Sequence, residues 1–173
     1  MNILAARKYP TPRNGQLSLE QAETRRLAYA IKTTASPCAD FDTAAREMAA
    51  LITGPCWLVP IPDSAGNTDA NARLASMIAM HCPGAQIVKA IYRTQPIQSQ
   101  CARHKHALGP IPPDQHHLAR TRKTLTLRQT YLVDNVTTSG HTLEAARAAL
   151  GFGAGLVFAD AANHRTQIQA TLL

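Results

Sequence analysis

The sequence lacks the features that mark several specialised classes of protein. No apolar run approaches the roughly 20 residues that a membrane-spanning helix needs, so no membrane partner is expected. The four cysteines form no CxxC pair, which excludes zinc-ribbon spacing. The first residues contain no apolar stretch of signal-peptide length. We therefore expect a cytoplasmic protein whose cysteines are free thiols.

Acidic residues are also scarce. The chain has 11 Asp and Glu against 18 Lys and Arg, which gives a formal net charge of +7. Positive charge attracts phosphates, and both nucleic acid and a polyphosphate metabolite fit it as partners. The remaining composition, with 45% hydrophobic and 17% charged residues in a chain of 173, is typical of one globular domain.

The second part of the chain alternates between strand-like and helix-like patterns. Apolar runs predict strands over residues 56–61, 86–92, 130–136 and 155–161. Helical patterns over 69–81 and 141–150 lie between them. This alternation predicts an α/β domain with a mostly parallel sheet flanked by helices.

The N-terminal part is expected to be helical. Residues 1–16 are interpreted as an arm, and a helical pattern begins at Ser18, which with Gln21 resembles a capping box. We therefore divide the chain into an arm and helical hood over 1–55 and an α/β core over 56–173.

A long polar segment, residues 93–127, interrupts the core without clear periodicity, and such segments are typically functional or mobile. In parallel sheets, ligands bind at the carboxyl ends of the strands. That rule directs attention to the turns after Ile61, Tyr92 and Val136.

The most informative string is YLVDNVTTSGHT, residues 131–142. A strand ends in Asp134 and Asn135, and a helix begins after Gly140. Helix N-termini bind anions, and a glycine there permits a positive φ angle. Hydroxyl donors are available from Thr137, Thr138, Ser139 and Thr142. The spacing predicts a site for ribose 5-phosphate, and an ordinary capped strand-to-helix turn is the alternative.

This string resembles the signature of type I phosphoribosyltransferases, which is a hydrophobic strand, two acidic residues and Thr-Thr-Gly-x-Thr. The resemblance implies that 5-phosphoribosyl-1-pyrophosphate (PRPP) is bound, with its 5-phosphate on Thr137, Thr138, Ser139, Gly140, His141 and Thr142. It implies that Asp134 and Asn135 hold the ribose. Asn135 stands where the family usually has a second acid. The implied reaction transfers the phosphoribosyl group to a nitrogenous base and releases pyrophosphate, with Mg²⁺ carried on PRPP.

Upstream residues resemble the ComF-like branch of that family, which is linked to DNA uptake. Residues 57–75 are similar to its VPVP strand and loop, which implies pyrophosphate binding by Asp63, Ser64, Ala65 and Gly66. Residues 25–36 are similar to its helix ending in a lysine, here Lys32. The chain lacks the CxxC zinc element and the arginine-rich pyrophosphate loop of that branch.

Residues 93–109 resemble the ComF stretch in which an arginine precedes a Pro-x-Gln element, and they lie where the wider phosphoribosyltransferase family has its flexible loop. Residues 103–109 also resemble the basic loop of orotate phosphoribosyltransferases. The resemblance implies that Arg93 binds pyrophosphate and that Arg103 and Lys105 act as catalytic cations. Four histidines, His104, His106, His116 and His117, match no zinc pattern, so Mg²⁺ brought by the substrate is the expected ion.

Two functions remain open at this point. One is a phosphoribosyltransferase, and the other is a non-catalytic PRPP-binding or nucleotide-binding accessory protein, ComF-like and linked to DNA uptake or processing. Asn135 favours the second function. The acceptor base is undetermined, a homodimer is left open, and the side chains considered for a base pocket are Tyr9, Tyr29, Phe41, Phe158 and Asp160.

Overall fold

The computed structural model describes residues 1–10, 16–33, 38–99, 102–103, 106–126 and 128–161. Within them the strands are β1 (Ile3–Lys8), β2 (Cys56–Pro60), β3 (Gln86–Ile87), β4 (Ile91–Arg93), β5 (Leu118–Arg120), β6 (Gln129–Thr137) and β7 (Ala154–Asp160). The helices are α1 (Leu19–Thr33), α2 (Ala39–Ala49), α3 (Asp69–His81) and α4 (His141–Leu150), with a short 3₁₀ helix at Pro113–His116.

The main sheet has five strands in the order β1-β7-β6-β2-β3, and every pairing in it is parallel. The predicted α/β fold with a mostly parallel sheet is confirmed. Strand β6 lies between β7 and β2, and Leu132 and Val133 on it are fully buried. The strand that carries the most informative string is therefore internal, as its continuous apolar run predicts.

Helices cover both faces of this sheet. On one face α1, α2 and α3 bury apolar side chains spaced three or four residues apart, such as Phe41, Ala45 and Met48 of α2. On the other face α4 buries Leu143, Ala146 and Leu150 against Leu132, Val157 and other residues of the sheet. No helix within the described residues is long and apolar enough to cross a membrane.

The N-terminal residues differ in part from expectation. Ile3–Lys8 forms an edge strand that pairs in parallel with β7, so the interpretation of residues 1–16 as an arm was wrong for that segment. Only the distant partner strand, which local sequence cannot reveal, makes this short run a strand. The capping box is confirmed, because the Ser18 amide donates to Gln21 Oε1 (3.0 Å) and the Gln21 amide donates to Ser18 Oγ (3.2 Å).

The single strand predicted over residues 86–92 is divided into two. β3 ends at Ile87, the Val88 amide donates to the Leu58 carbonyl (3.0 Å), and the chain then leaves the main sheet. β4 pairs with β5 in a separate antiparallel ribbon. The reason is burial, because Ala90 and Ile91 pack into the α4 side of the core instead of extending the sheet edge. The long segment after Tyr92 therefore does not start from the main sheet.

The division of that strand fits a proline in β2. The Ile61 amide donates toward β6, to the Val133 carbonyl (3.0 Å), so the backbone nitrogen of Pro60 faces the β3 side. β3 has already ended there. Pro60, which has no N–H, therefore costs no hydrogen bond in the sheet.

Candidate functional site

The carboxyl ends of β2 and β6 form a topological switch point. From β2 the chain passes through α3 to β3 on one side, and from β6 it passes through α4 to β7 on the other side. The two helices consequently lie on opposite faces of the sheet. In open α/β sheets such a crevice is where ligands bind. The turns after Ile61 and Val136, both predicted from the sequence, meet at this point.

The turn between β6 and α4 leaves its amides open. Gly140 has φ +80° and immediately precedes α4, so the positive φ considered for it is present. The His141 amide makes one long contact with Ser139 Oγ (3.4 Å). Within the described part of the chain, no acceptor is assigned to the amides of Thr138, Ser139 and Gly140. Together with the positive end of the α4 dipole, amides without an acceptor are suited to bind an anion.

The hydroxyl side chains of this turn are not equally accessible. Thr137 is buried at the end of β6, Thr138 is exposed, and Ser139 and Thr142 are partly exposed. His141 Nδ1 donates to the Ile111 carbonyl (2.8 Å), so Nε2 is the ring nitrogen that can contact other partners. The accessible hydroxyls can thus supplement the backbone amides around a phosphate.

Asp134 lies on β6, next to this turn, and a buried amide holds its side chain. Asp134 Oδ1 accepts hydrogen bonds from Asn71 Nδ2 (3.1 Å) and from the Asn135 amide (2.8 Å). Removal from water raises the pKa of Asp134 to about 6, and these two hydrogen bonds oppose that rise. A carboxylate with this pKa changes its charge near neutral pH, as functional carboxylates often do.

Asn71 is a site residue that the sequence analysis missed. It is buried in the first turn of α3 and also donates to the Ile61 carbonyl (2.8 Å), so it connects the end of β2 to Asp134. The signal was present in the sequence, because Asn71 shares a helical face with Leu74, Ala75 and Ile78. A polar residue on a buried helical face needs a partner, and here the partner is Asp134.

Two further groups affect this carboxylate. The positive charge of Lys32, in the last turn of α1, lowers the pKa of Asp134, and the charge of Arg93 does the same to a smaller extent. Asn135 is partly exposed, and its Oδ1 accepts the Val136 amide (2.8 Å). Lys32, at the end of α1, therefore lies near enough to the candidate site for its charge to act on Asp134.

The turn between β2 and α3 satisfies most of its own amides. Asp63 Oδ1 accepts from Ala65 and Asn67 (2.9 Å each), and the Asp63 carbonyl accepts from Gly66 (3.1 Å). Ser64 contributes its carbonyl to the Ile97 amide (2.9 Å). The amides of Ala65 and Gly66, two of the four residues predicted to bind pyrophosphate, thus donate to Asp63 in this conformation.

Arg93 is also occupied by backbone groups. Its Nε donates to the Asp63 carbonyl (2.8 Å), Nη2 donates to Pro62 (3.4 Å), and Nη1 donates to the His116 carbonyl. Burial lowers the pKa of Arg93 from its usual value. Arg93 thereby joins the β2–α3 turn to the 3₁₀ helix, and only its remaining N–H groups are available to a ligand.

Neither of the two predicted catalytic cations is shown in contact with this arrangement. Arg103 Nε donates to the Gly109 carbonyl (2.8 Å) and stabilises its own turn. His104 and Lys105 lie outside the described residues. Among the residues that are described, no group of three His, Cys, Asp or Glu side chains could hold a metal ion.

The N-terminal helices pack against a face of the sheet. Phe41, Phe158 and Asp160 are buried, Tyr9 packs on the core, and Tyr29 is 68% exposed. The helices of the hood predicted over residues 1–55 are present. Lys32, in the last turn of α1, is the residue of this region whose charge affects Asp134. The aromatic side chains considered for a base pocket therefore serve the core or, for Tyr29, the surface.

Comparisons of the chain with protein family models, with curated proteins and with solved structures found no match.

Proposed function

We propose that the protein binds PRPP in the crevice between β2 and β6. The observation that supports this most strongly is the open β6–α4 turn, Thr138–Gly140, beside the carboxylate of Asp134. In the proposed complex the 5-phosphate lies on the amides before α4, and a ribose hydroxyl donates to Asp134. The +7 net charge favours a ligand with several phosphates.

The proposed reaction is phosphoribosyl transfer. A nitrogen atom of a base forms a bond to ribose C1 while the bond from C1 to the pyrophosphate oxygen breaks, and pyrophosphate leaves with that electron pair. Positive charge develops on the ribose, and ionised Asp134 stabilises it by its charge. The oxygens of Asp134 and Asn135 are of the kind that would bind Mg²⁺ carried on the pyrophosphate, and the ion would there neutralise charge on the leaving group.

The two ends of PRPP meet different surroundings. The 5-phosphate end finds open amides, whereas the pyrophosphate end meets the β2–α3 turn, which is closed on Asp63. We infer that the 5-phosphate anchors the ligand and that the β2–α3 turn must rearrange before it contacts pyrophosphate.

A second candidate function is favoured by the same closed turn and by the uncharged side chain of Asn135, which stands in place of a carboxylate. In it the protein binds PRPP or a nucleotide without turnover, as an accessory or regulatory protein. Ground-state binding requires the phosphate turn and a ribose contact, whereas turnover also requires stabilisation of developing charge.

Calorimetric titration with PRPP, and separately with ribose 5-phosphate, in the presence of Mg²⁺ tests the shared claim. A screen for pyrophosphate release across purine and pyrimidine bases then separates the two functions. Asp134→Asn should weaken PRPP binding by about tenfold and abolish any turnover. The proposal would be refuted if neither PRPP nor ribose 5-phosphate binds to the parent protein. Binding without turnover on any base would select the accessory function.

A further inference from the structure

The charges of this protein are unevenly distributed. The sequence has 11 acidic residues, and all of them lie among the described residues. Five belong to α1 and α2, on the face opposite α4. The others are at the carboxyl ends of strands, in the turns that follow them, in the first turns of α3 and α4, or in the 3₁₀ helix. Residues 115–133 contain none, and they lead to the amino end of the sheet on the α4 side.

That end of the molecule carries a group of exposed cations, which we call the basic surface. Its members are Arg120, Arg122, Lys123, Arg128 and Arg147. None of the five forms an ion pair with a described residue, in contrast to Arg7, Arg26 and Arg46 on the N-terminal strand and helices. Their charges are therefore not neutralised within the described part of the chain and attract an external anion.

Contacts show that these cations share one region. Arg120 Nη1 donates to the Leu150 carbonyl at the end of α4 (3.4 Å). Trp57 Nε1 donates to the Thr126 carbonyl (3.2 Å), so the segment that carries Arg122 and Lys123 passes beside the start of β2. The segment then enters β6.

Two aromatic rings are interleaved with the cations. The Arg128 guanidinium lies 5.2 Å from the Trp57 ring, and the Arg120 guanidinium lies 5.9 Å from the Phe152 ring. Trp57 is partly exposed, and Phe152 is 37% exposed. Alternation of cations with accessible aromatic rings is typical of proteins that bind single strands, because phosphates contact the cations and unstacked bases stack on the rings. Guanidinium planes stack on bases as well.

We propose that the basic surface, with Trp57 and Phe152, binds single-stranded nucleic acid. This surface is separate from the PRPP site. Strand β6 has nine residues and is about 30 Å long, and it lies between the two: Arg128 precedes its first residue, and the phosphate turn follows its last. A strand and PRPP should therefore bind together without competition. The inference does not rest on the PRPP proposal and can fail or hold independently of it.

Fluorescence anisotropy of a labelled single-stranded oligonucleotide of about 20 thymidines tests the contribution of charge, and fluorescence of Trp57, the one tryptophan in the chain, provides a label-free readout. Arg122→Gln with Lys123→Gln should weaken binding at least tenfold. The slope of log affinity against log salt should fall by about 1.4, since each phosphate contact on a single strand contributes about 0.7. The matched control is Lys8→Gln with Arg25→Gln, which removes the same charge from exposed positions elsewhere. Equal weakening by the control would overturn the assignment to this surface.

The aromatic contribution has its own variant. Phe152→Ala should weaken binding about fivefold without changing the salt slope, because stacking involves no released counterion. Tyr29→Ala, at another exposed aromatic residue, should leave affinity unchanged. The oligonucleotide should quench the fluorescence of Trp57. Saturating PRPP should not displace the bound oligonucleotide.

Three further results would overturn the proposal. They are no binding by the parent protein at low salt, tighter binding to a duplex of the same length, and equal binding to vesicles of anionic phospholipid. The first removes the site, the second removes the preference for single strands, and the third shows that the basic surface recognises negative charge alone.

Discussion

Two turns leave neighbouring strands at the same edge of the sheet, and they use their backbone amides in opposite ways. After β6 the amides of Thr138, Ser139 and Gly140 have no acceptor in the described part of the chain. After β2 the Asp63 carboxylate accepts two amides of its own turn. Both turns are rich in small residues, and each contains a glycine. Composition therefore indicates that a turn is able to bind an anion, and an internal carboxylate determines whether its amides are available.

The open turn should show the largest effect. Gly140→Val should weaken PRPP binding by about a hundredfold or more, because a β-branched residue at φ +80° distorts the amides that face the phosphate. Gly151→Val at the other end of α4 is the matched control, since Gly151 has φ +93° and open space around its Cβ position. Titration calorimetry measures binding, and circular dichroism checks that both variants fold. Equal losses in the two variants would assign the effect to strain in α4.

The carboxylate beside the open turn should make binding depend on pH. The pKa of Asp134 is raised to about 6, so the group becomes ionised between about pH 5 and 7 and then accepts ribose hydroxyls better. PRPP affinity should rise about tenfold across that window. The 5-phosphate also titrates near pH 6, so Asp134→Asn supplies the profile of the ligand alone. Identical profiles for parent and variant would exclude Asp134 from binding.

The same shift has a consequence for stability. The pKa of Asp134 is higher in the folded protein than the ordinary value of 3.8, so folding favours the protonated acid. The contribution of this group to the free energy of unfolding should be fully present below about pH 4. It should be lost as the pH rises through about 6. Asp134→Asn should remove that decrease, which urea denaturation at pH 4 and pH 7 measures.

Asn135 provides a change within the same strand. Asn135→Asp keeps the acceptor for the Val136 amide, so PRPP affinity should remain within about tenfold. The added negative charge should raise any transferase or PRPP-hydrolysis rate, because it acts on the charge of the transition state. Turnover and affinity are compared under saturating Mg²⁺. A lower rate in the variant would show that the amide itself is required.

The closed turn should respond least. Asp63→Ala frees the amides of Ala65 and Asn67 and removes a negative charge, so affinity for PRPP should increase about threefold. Affinity for ribose 5-phosphate, which has no pyrophosphate, should not change. Equal weakening of both ligands would mean that the closed turn supports the site as a scaffold instead.

Much of this arrangement could be predicted from local patterns. The apolar runs of β2, β6 and β7 and the helical spacing in α2 and α4 are strong signals, because burial on both faces of a sheet or on one face of a helix determines which residues are apolar. The position of Gly140 before α4 also follows from the chain itself.

The remainder depends on contacts between distant residues. β1 is a strand only because β7 lies beside it. The strand predicted over residues 86–92 is divided because Ala90 and Ile91 are buried in the core on the α4 side instead of extending the sheet. Asn71 lies 63 residues from its partner Asp134. The involvement of Arg93 with backbone carbonyls likewise becomes visible only when the turn after β2 and the 3₁₀ helix are side by side.

The proline at the end of β2 has a consequence for association between molecules. Strands at the border of a sheet recruit other chains through unpaired N–H groups, which is the first step of β-type aggregation. Beyond Ile87 β3 no longer pairs with β2, and the backbone position that faces the β3 side there is Pro60, which has no N–H. A recruited strand would find no donor there. Pro60 therefore disfavours pairing of a further strand on this side of β2, at the end that borders the proposed crevice.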